Sequence, residues 1–161
     1  MRAFLVGVTC AAAMMAGCGS DSPAAPDTDD PETLKAAPLS VVFAGKTLVL
    51  SASLWRDFQP ISPPDGKALT GVLRVTATDG SSVPSSVTAD AAWLIMGTQV
   101  WQTTPAEIGS RNGSAPVYEL AVRDGPKWGP GVSVDVVVRL RDGSGRTALL
   151  RAADQVIERT D

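Results

Sequence analysis

Val132-Ser133-Val134-Asp135-Val136-Val137-Val138-Arg139-Leu140-Arg141 decides the fold class of this chain. Every even position is apolar, and all the odd positions except Val137 are polar or charged. In an extended chain successive side chains point to opposite faces, so a period of two means one buried and one solvated face. The register predicts Val134, Val136 and Val138 in the core and Asp135, Val137, Arg139 and Arg141 outward. With Arg123 and Arg151, that outward row reads either as part of a recognition surface or as a cross-strand ladder of charges, the commoner arrangement.

Upstream, Leu48, Leu50, Ala52 and Leu54 alternate with Thr47, Val49, Ser51 and Ser53. Leu69, Leu73 and Val75 alternate with Thr70, Arg74 and Thr76. Pro63-Pro64-Asp65-Gly66, Asp79-Gly80, Asn112-Gly113, Asp124-Gly125-Pro126 and Asp142-Gly143-Ser144-Gly145 supply residues that accept positive φ or preset φ near −65°. Between Ala92 and Gln102, Gly97-Thr98 reads as a two-residue hairpin loop. That loop sets Ile95 opposite Val100 and Leu94 opposite Trp101.

About seven strands separated by turns predict an all-β antiparallel sandwich over residues 39–161. Val117 to Val122, the corner Gly125 to Gly131, Val132 to Leu140, the loop Asp142 to Arg146 and then Thr147 to Ala152 carry a more specific likeness. Together they resemble the last three strands of a fibronectin type III or related immunoglobulin-like domain. The resemblance implies an immunoglobulin-like β-sandwich, without the paired cysteines of antibody domains and with Trp128 near the usual corner tyrosine.

Residues 1–17 have the parts of a secretory signal: Arg2, an apolar run through Met15, and small Ala16-Gly17. The run is too short to span a membrane, which takes about 20 apolar residues. Met15-Ala16-Gly17-Cys18 resembles the lipobox of bacterial lipoproteins, with Met where Leu is usual. The resemblance implies cleavage before Cys18, acylation of its thiol and often of the new amine, and membrane lipid as a partner. Acyl chains hold a protein because each buried methylene contributes about 0.8 kcal/mol. In that family Asp after the cysteine retains the protein at the inner membrane. Gly19-Ser20 lacks it, which implies the outer membrane where an organism has one.

Residues 18–38 are rich in Pro, Asp and Ala, with Leu34 the one bulky apolar side chain. Such a stretch predicts a flexible acidic tether. The chain holds 14 Lys and Arg against 17 Asp and Glu; five of the carboxylates lie in the tether, leaving twelve of each sign from Leu39 onward. A near-neutral domain gives no support to a nucleic-acid partner.

The sequence contains no histidine, and its two cysteines, Cys10 and Cys18, fall in the signal and at the lipidation point. Ser-His-Asp, Cys-His and histidine-based zinc chemistry are thereby excluded for the mature domain. No catalytic, cofactor or metal site is expected. Asp57, Asp65, Glu107 and Glu119 would act as a catalytic pair only if two faced each other across a cleft. Asp79, Asp124 and Asp142 each stand beside a glycine, where aspartate favours a turn, without the repeated spacing of a calcium loop. The four tryptophans carry the remaining interest. Trp93 and Trp128 read as core or corner plugs. Trp55 and Trp101 stay open between plug and binding platform, since an indole offers a flat apolar face and one donor. The reading is a non-catalytic, membrane-anchored binding or scaffolding domain with an envelope protein or glycan as partner. The alternative is a carbohydrate- or peptide-binding module using Trp55 or Trp101.

Overall fold

A computed structural model describes residues 30–109 and 116–161. One short helix, α1 (Pro31–Lys35), precedes nine strands: β1 (Ser40–Phe43), β2 (Lys46–Asp57), β3 (Leu69–Ala77), β4 (Thr88–Met96), β5 (Gln99–Thr103), β6 (Ala106–Glu107), β7 (Val117–Gly125), β8 (Ser133–Arg141) and β9 (Thr147–Thr160). They form one sheet in the order β5-β4-β8-β9-β2-β3-β7-β6, with β1 paired to β2.

The antiparallel immunoglobulin-like sandwich of about seven strands is not what forms. Nine strands make a single mixed sheet, because β9 runs antiparallel to β8 and then parallel to β2. The sheet curls into an open half-barrel whose concave face closes on one core. Leu50, Leu54, Leu73 and Leu120 from one half meet Leu94, Val136, Val138 and Leu150 from the other.

A bulge in β9 makes the crossing possible. Val134 pairs with Gln155 and Val136 with Ala152, so Asp135 alone opposes Ala153-Asp154. Asp154 takes a left-handed φ of 55° and donates its amide to Asp135 Oδ1 at 3.3 Å. An extra residue reverses the parity of side chains and bends the strand. Before the bulge Leu150 and Ala152 face the core; after it Ile157 does, and Val156 and Glu158 turn outward. Gln155 ties the bend to β2, its Oε1 accepting the Ala52 amide at 3.2 Å.

The period-two reading of β8 holds: Val134, Val136 and Val138 are buried, and Arg141 is exposed. Val137 departs from the outward row, being fully buried on the convex face. The reason is α1, which falls within the expected tether. Asp30 caps it, accepting the Thr33 amide at 2.8 Å, and Pro31 opens its first turn. Leu34 and Ala37 pack on Ala91, Trp93, Ile95 and Val137. Residues 30–38 therefore belong to the folded domain. Cys18 and the signal segment 1–17 lie outside the described residues, as does the Asn112-Gly113 turn.

Candidate functional site

Where β9 leaves β8 for β2, the surface carries a shallow groove of about 530 Å³ lined by Pro130, Gly131, Val156, Ile157, Glu158 and Arg159. Trp55 stands beside it. On β2 the inward parity of Leu48, Leu50 and Leu54 sends Trp55 to the convex face, where it pairs with Thr70 on one side and Glu158 on the other. Its indole is half-buried, and Val156 is 55% exposed. Glu158, a groove residue, links the indole to the groove.

Arg56 holds the end of the domain that forms the groove wall. It is the one buried charged residue among those described, continuing the inward parity of Leu54. Its Nε donates to Lys67 O at 2.9 Å, Nη1 to Lys127 O at 3.1 Å and Gly129 O at 2.7 Å, and Nη2 to Asp65 O. Backbone carbonyls thus solvate the buried guanidinium and fasten the 59–67 loop and the 126–131 corner to β2. Arg56 and Arg159 both lie over the Phe58 ring, 5.0 and 4.1 Å from its centroid. Gly66, at φ 74°, lies so close to that ring that a Cβ would come 2.6 Å from Phe58 Cζ. A charged residue on the inward parity of β2 is the sequence signal for Arg56.

The other tryptophans divide clearly. Trp101, opposite Leu94 on β5, packs on the core, and a Cβ at Gly125 would sit 3.2 Å from its ring. Trp128 packs on the same core from its loop. Trp93 is fully buried under α1 and beneath Arg139, whose guanidinium is 5.8 Å from its ring. Among the four indoles, Trp55 alone belongs to neither apolar cluster.

Three of the four carboxylates weighed as catalytic candidates each have their own cation. Asp57 pairs with Lys67 at 2.6 Å, Asp65 with Lys127 at 2.6 Å and Glu119 with Arg74 at 2.8 Å. Hydrogen bonds from the Lys67 and Lys127 ammonium groups hold the first two below the usual carboxylate range. Asp79 and Asp142 close turns: each accepts the amide and hydroxyl of the serine two residues on. The Ser81 hydroxyl and amide, with Lys46 behind them, hold Asp79 down to about 2. Asp124 takes a left-handed φ of 60° at the end of β7. Among the described residues, no group of three or more His, Cys, Asp or Glu side chains is placed to hold a metal ion.

No family model, curated protein or solved structure matches this chain.

Proposed function

We propose that the protein is a lipoprotein of the bacterial cell envelope, held in a membrane leaflet through acylated Cys18, whose β-domain binds or scaffolds an extracytoplasmic partner without catalysis. The observation that carries this reading is Met15-Ala16-Gly17-Cys18 at the end of the apolar run. Gly19-Ser20 supports the outer membrane in an organism with two. Residues 18–29 lie between Cys18 and the cap of α1 in the sequence, and at full extension they reach about 40 Å. The separate ion pairs of Asp57, Asp65 and Glu119 support a binding task over hydrolytic chemistry.

Mass spectrometry of the mature N-terminus tests this directly. Acyl mass on Cys18 is the expected result, with uncleaved precursor in Cys18→Ala. An unmodified terminus at another residue contradicts the reading.

One observation favours a second, narrower reading. Trp55, half-buried beside Glu158 and the groove, suits a ligand that stacks on an indole and hydrogen-bonds to neighbouring hydroxyl and carboxylate groups, as a glycan does. Titration with peptidoglycan fragments should then show binding that Trp55→Ala abolishes while the melting temperature stays nearly unchanged. Equal binding by wild type and variant rules it out.

A further inference from the structure

We propose that residues 30–38 form a latch. Docked, the segment covers the convex face of β4 and β8; released, it lengthens the span between Cys18 and the domain by nine residues. The docked state is the one the structure shows, and the release rests on how the segment is held. A helix of five residues does not persist without packing. Here the packing comes from one fully buried side chain, Leu34, and from Ala37 at 6% exposure. The polar ties lie at the rim: Lys35 Nζ donates to Gly97 O at 2.7 Å, Arg151 Nε to Ala37 O at 3.2 Å, and the Arg151 amide to Pro38 O at 2.9 Å.

Two residues later the chain is held quite differently. Residues Ser40 to Phe43 pair in register with Val49 to Lys46 of β2, so they share the ladder of the sheet. Release can therefore stop at Leu39, which is 55% exposed, and leave every strand in place. Uncovering Ala91, Trp93, Ile95 and Val137 is unfavourable, which keeps the open form a minority. The greatest reach from Cys18 grows from about 40 Å over residues 18–29 to about 70 Å over residues 18–38. The occupant of this apolar face is the chain's own segment, and tension on the anchored end draws it off. The tether-lengthening role rests on the lipid-anchor reading; the latch itself does not.

Native-state hydrogen exchange on the full chain in detergent tests it. The amides of Leu34, Ala36 and Ala37 are bonded to the carbonyls of Asp30, Glu32 and Leu34, and serve as reporters against Val136 and Val138 of β8. The latch amides should exchange at least about tenfold faster than those of β8, with a measurable denaturant slope that is smaller than that of β8, as sub-global opening requires. Leu34→Ser should bring them to the rate of unstructured peptide while β8 stays protected. A common rate and a common denaturant slope for both sets overturns the latch. Cys18→Ser keeps the two readings apart: unchanged latch exchange without acyl mass on the wild type sinks the anchor and leaves the latch standing, and acyl mass with a common rate does the reverse.

Discussion

On the convex side of β4 and β8, Ala91, Trp93, Ile95 and Val137 are buried beneath α1, whereas on the convex side of β2, Ser51 and Ser53 meet solvent and Trp55 is half-buried. Both regions share the same concave core and the same pleat. The difference lies in what alternates with the core residues. In β2 the outward positions carry three hydroxyls and a carboxylate with Val49 and one indole between them, so water suffices as the neighbour of most. In β4 the run Ala91-Ala92-Trp93-Leu94-Ile95 is apolar at every position, and a strand apolar on both faces needs a cover on both. The covered region spends its surface on stability. The open region keeps its indole, a glutamate and a groove available for a ligand.

The contrast can be broken most severely through the core common to both regions. Val136 is fully buried on a central strand, and a carboxylate there has no partner to offset its desolvation. Val136→Asp should leave the domain unfolded in circular dichroism, since the penalty approaches a stability of about 5–15 kcal/mol. Arg139→Ser, on the outward face, loses a half-buried pair with Asp90 and its place over the Trp93 ring, but Asp90 keeps Arg141, and the change should cost about 1 kcal/mol.

The two tryptophans sharpen it next. Trp93→Ala removes a fully buried indole and should cost about 3–5 kcal/mol in denaturant unfolding. Trp55→Ala should cost about 1 kcal/mol or less. Equal losses would mean that the two convex faces are packed alike. Arg56→Met falls between them: it strips the donors from Asp65, Lys67, Lys127 and Gly129 carbonyls, for a loss of about 2–3 kcal/mol and faster proteolysis in the 59–67 loop.

The smallest effect is electrostatic. Asp79, held down by Ser81 and Lys46, and Asp142, held down by Ser144, have folded pKa values below the ordinary 3.8. Their contribution is present above that value and is lost as pH falls through the folded values, which for Asp79 is about 2. The melting temperature should fall by a few degrees over that window. Asp79→Asn should show a shallower fall.

How much of this was legible follows from the range of each interaction. The β4–β5 hairpin emerged in register, Ile95 opposite Val100 and Leu94 opposite Trp101, because a two-residue loop at Gly97-Thr98 leaves no other pairing. The buried face of β8 emerged because its alternation runs unbroken. The parallel contact of β2 with β9 did not, since turn residues announce hairpins and a parallel partner has no turn to announce it. The bulge at Asp154 also shifts the buried parity from Leu150 and Ala152 to Ile157, which hides the strand from a period-two reading. α1 carried a local signature, Asp30-Pro31-Glu32 as cap and first turn with Leu34 behind it, that the acidic, proline-rich composition around it obscured. Val137 and the apolar run of β4 were its counterpart. Of the site, Trp55 was legible as a candidate, but the groove was not, because Val156 and Pro130 meet only through the crossing of β9.

The most direct test of the covered and open faces is acrylamide quenching of variants that retain a single tryptophan, the other three replaced by Phe. Trp93 alone should emit at short wavelength and resist quenching, while Trp55 alone should emit to the red and quench several-fold more strongly. Trp93 quenched as readily as Trp55 would contradict the account, because it would mean that α1 does not cover the β4–β8 face in solution.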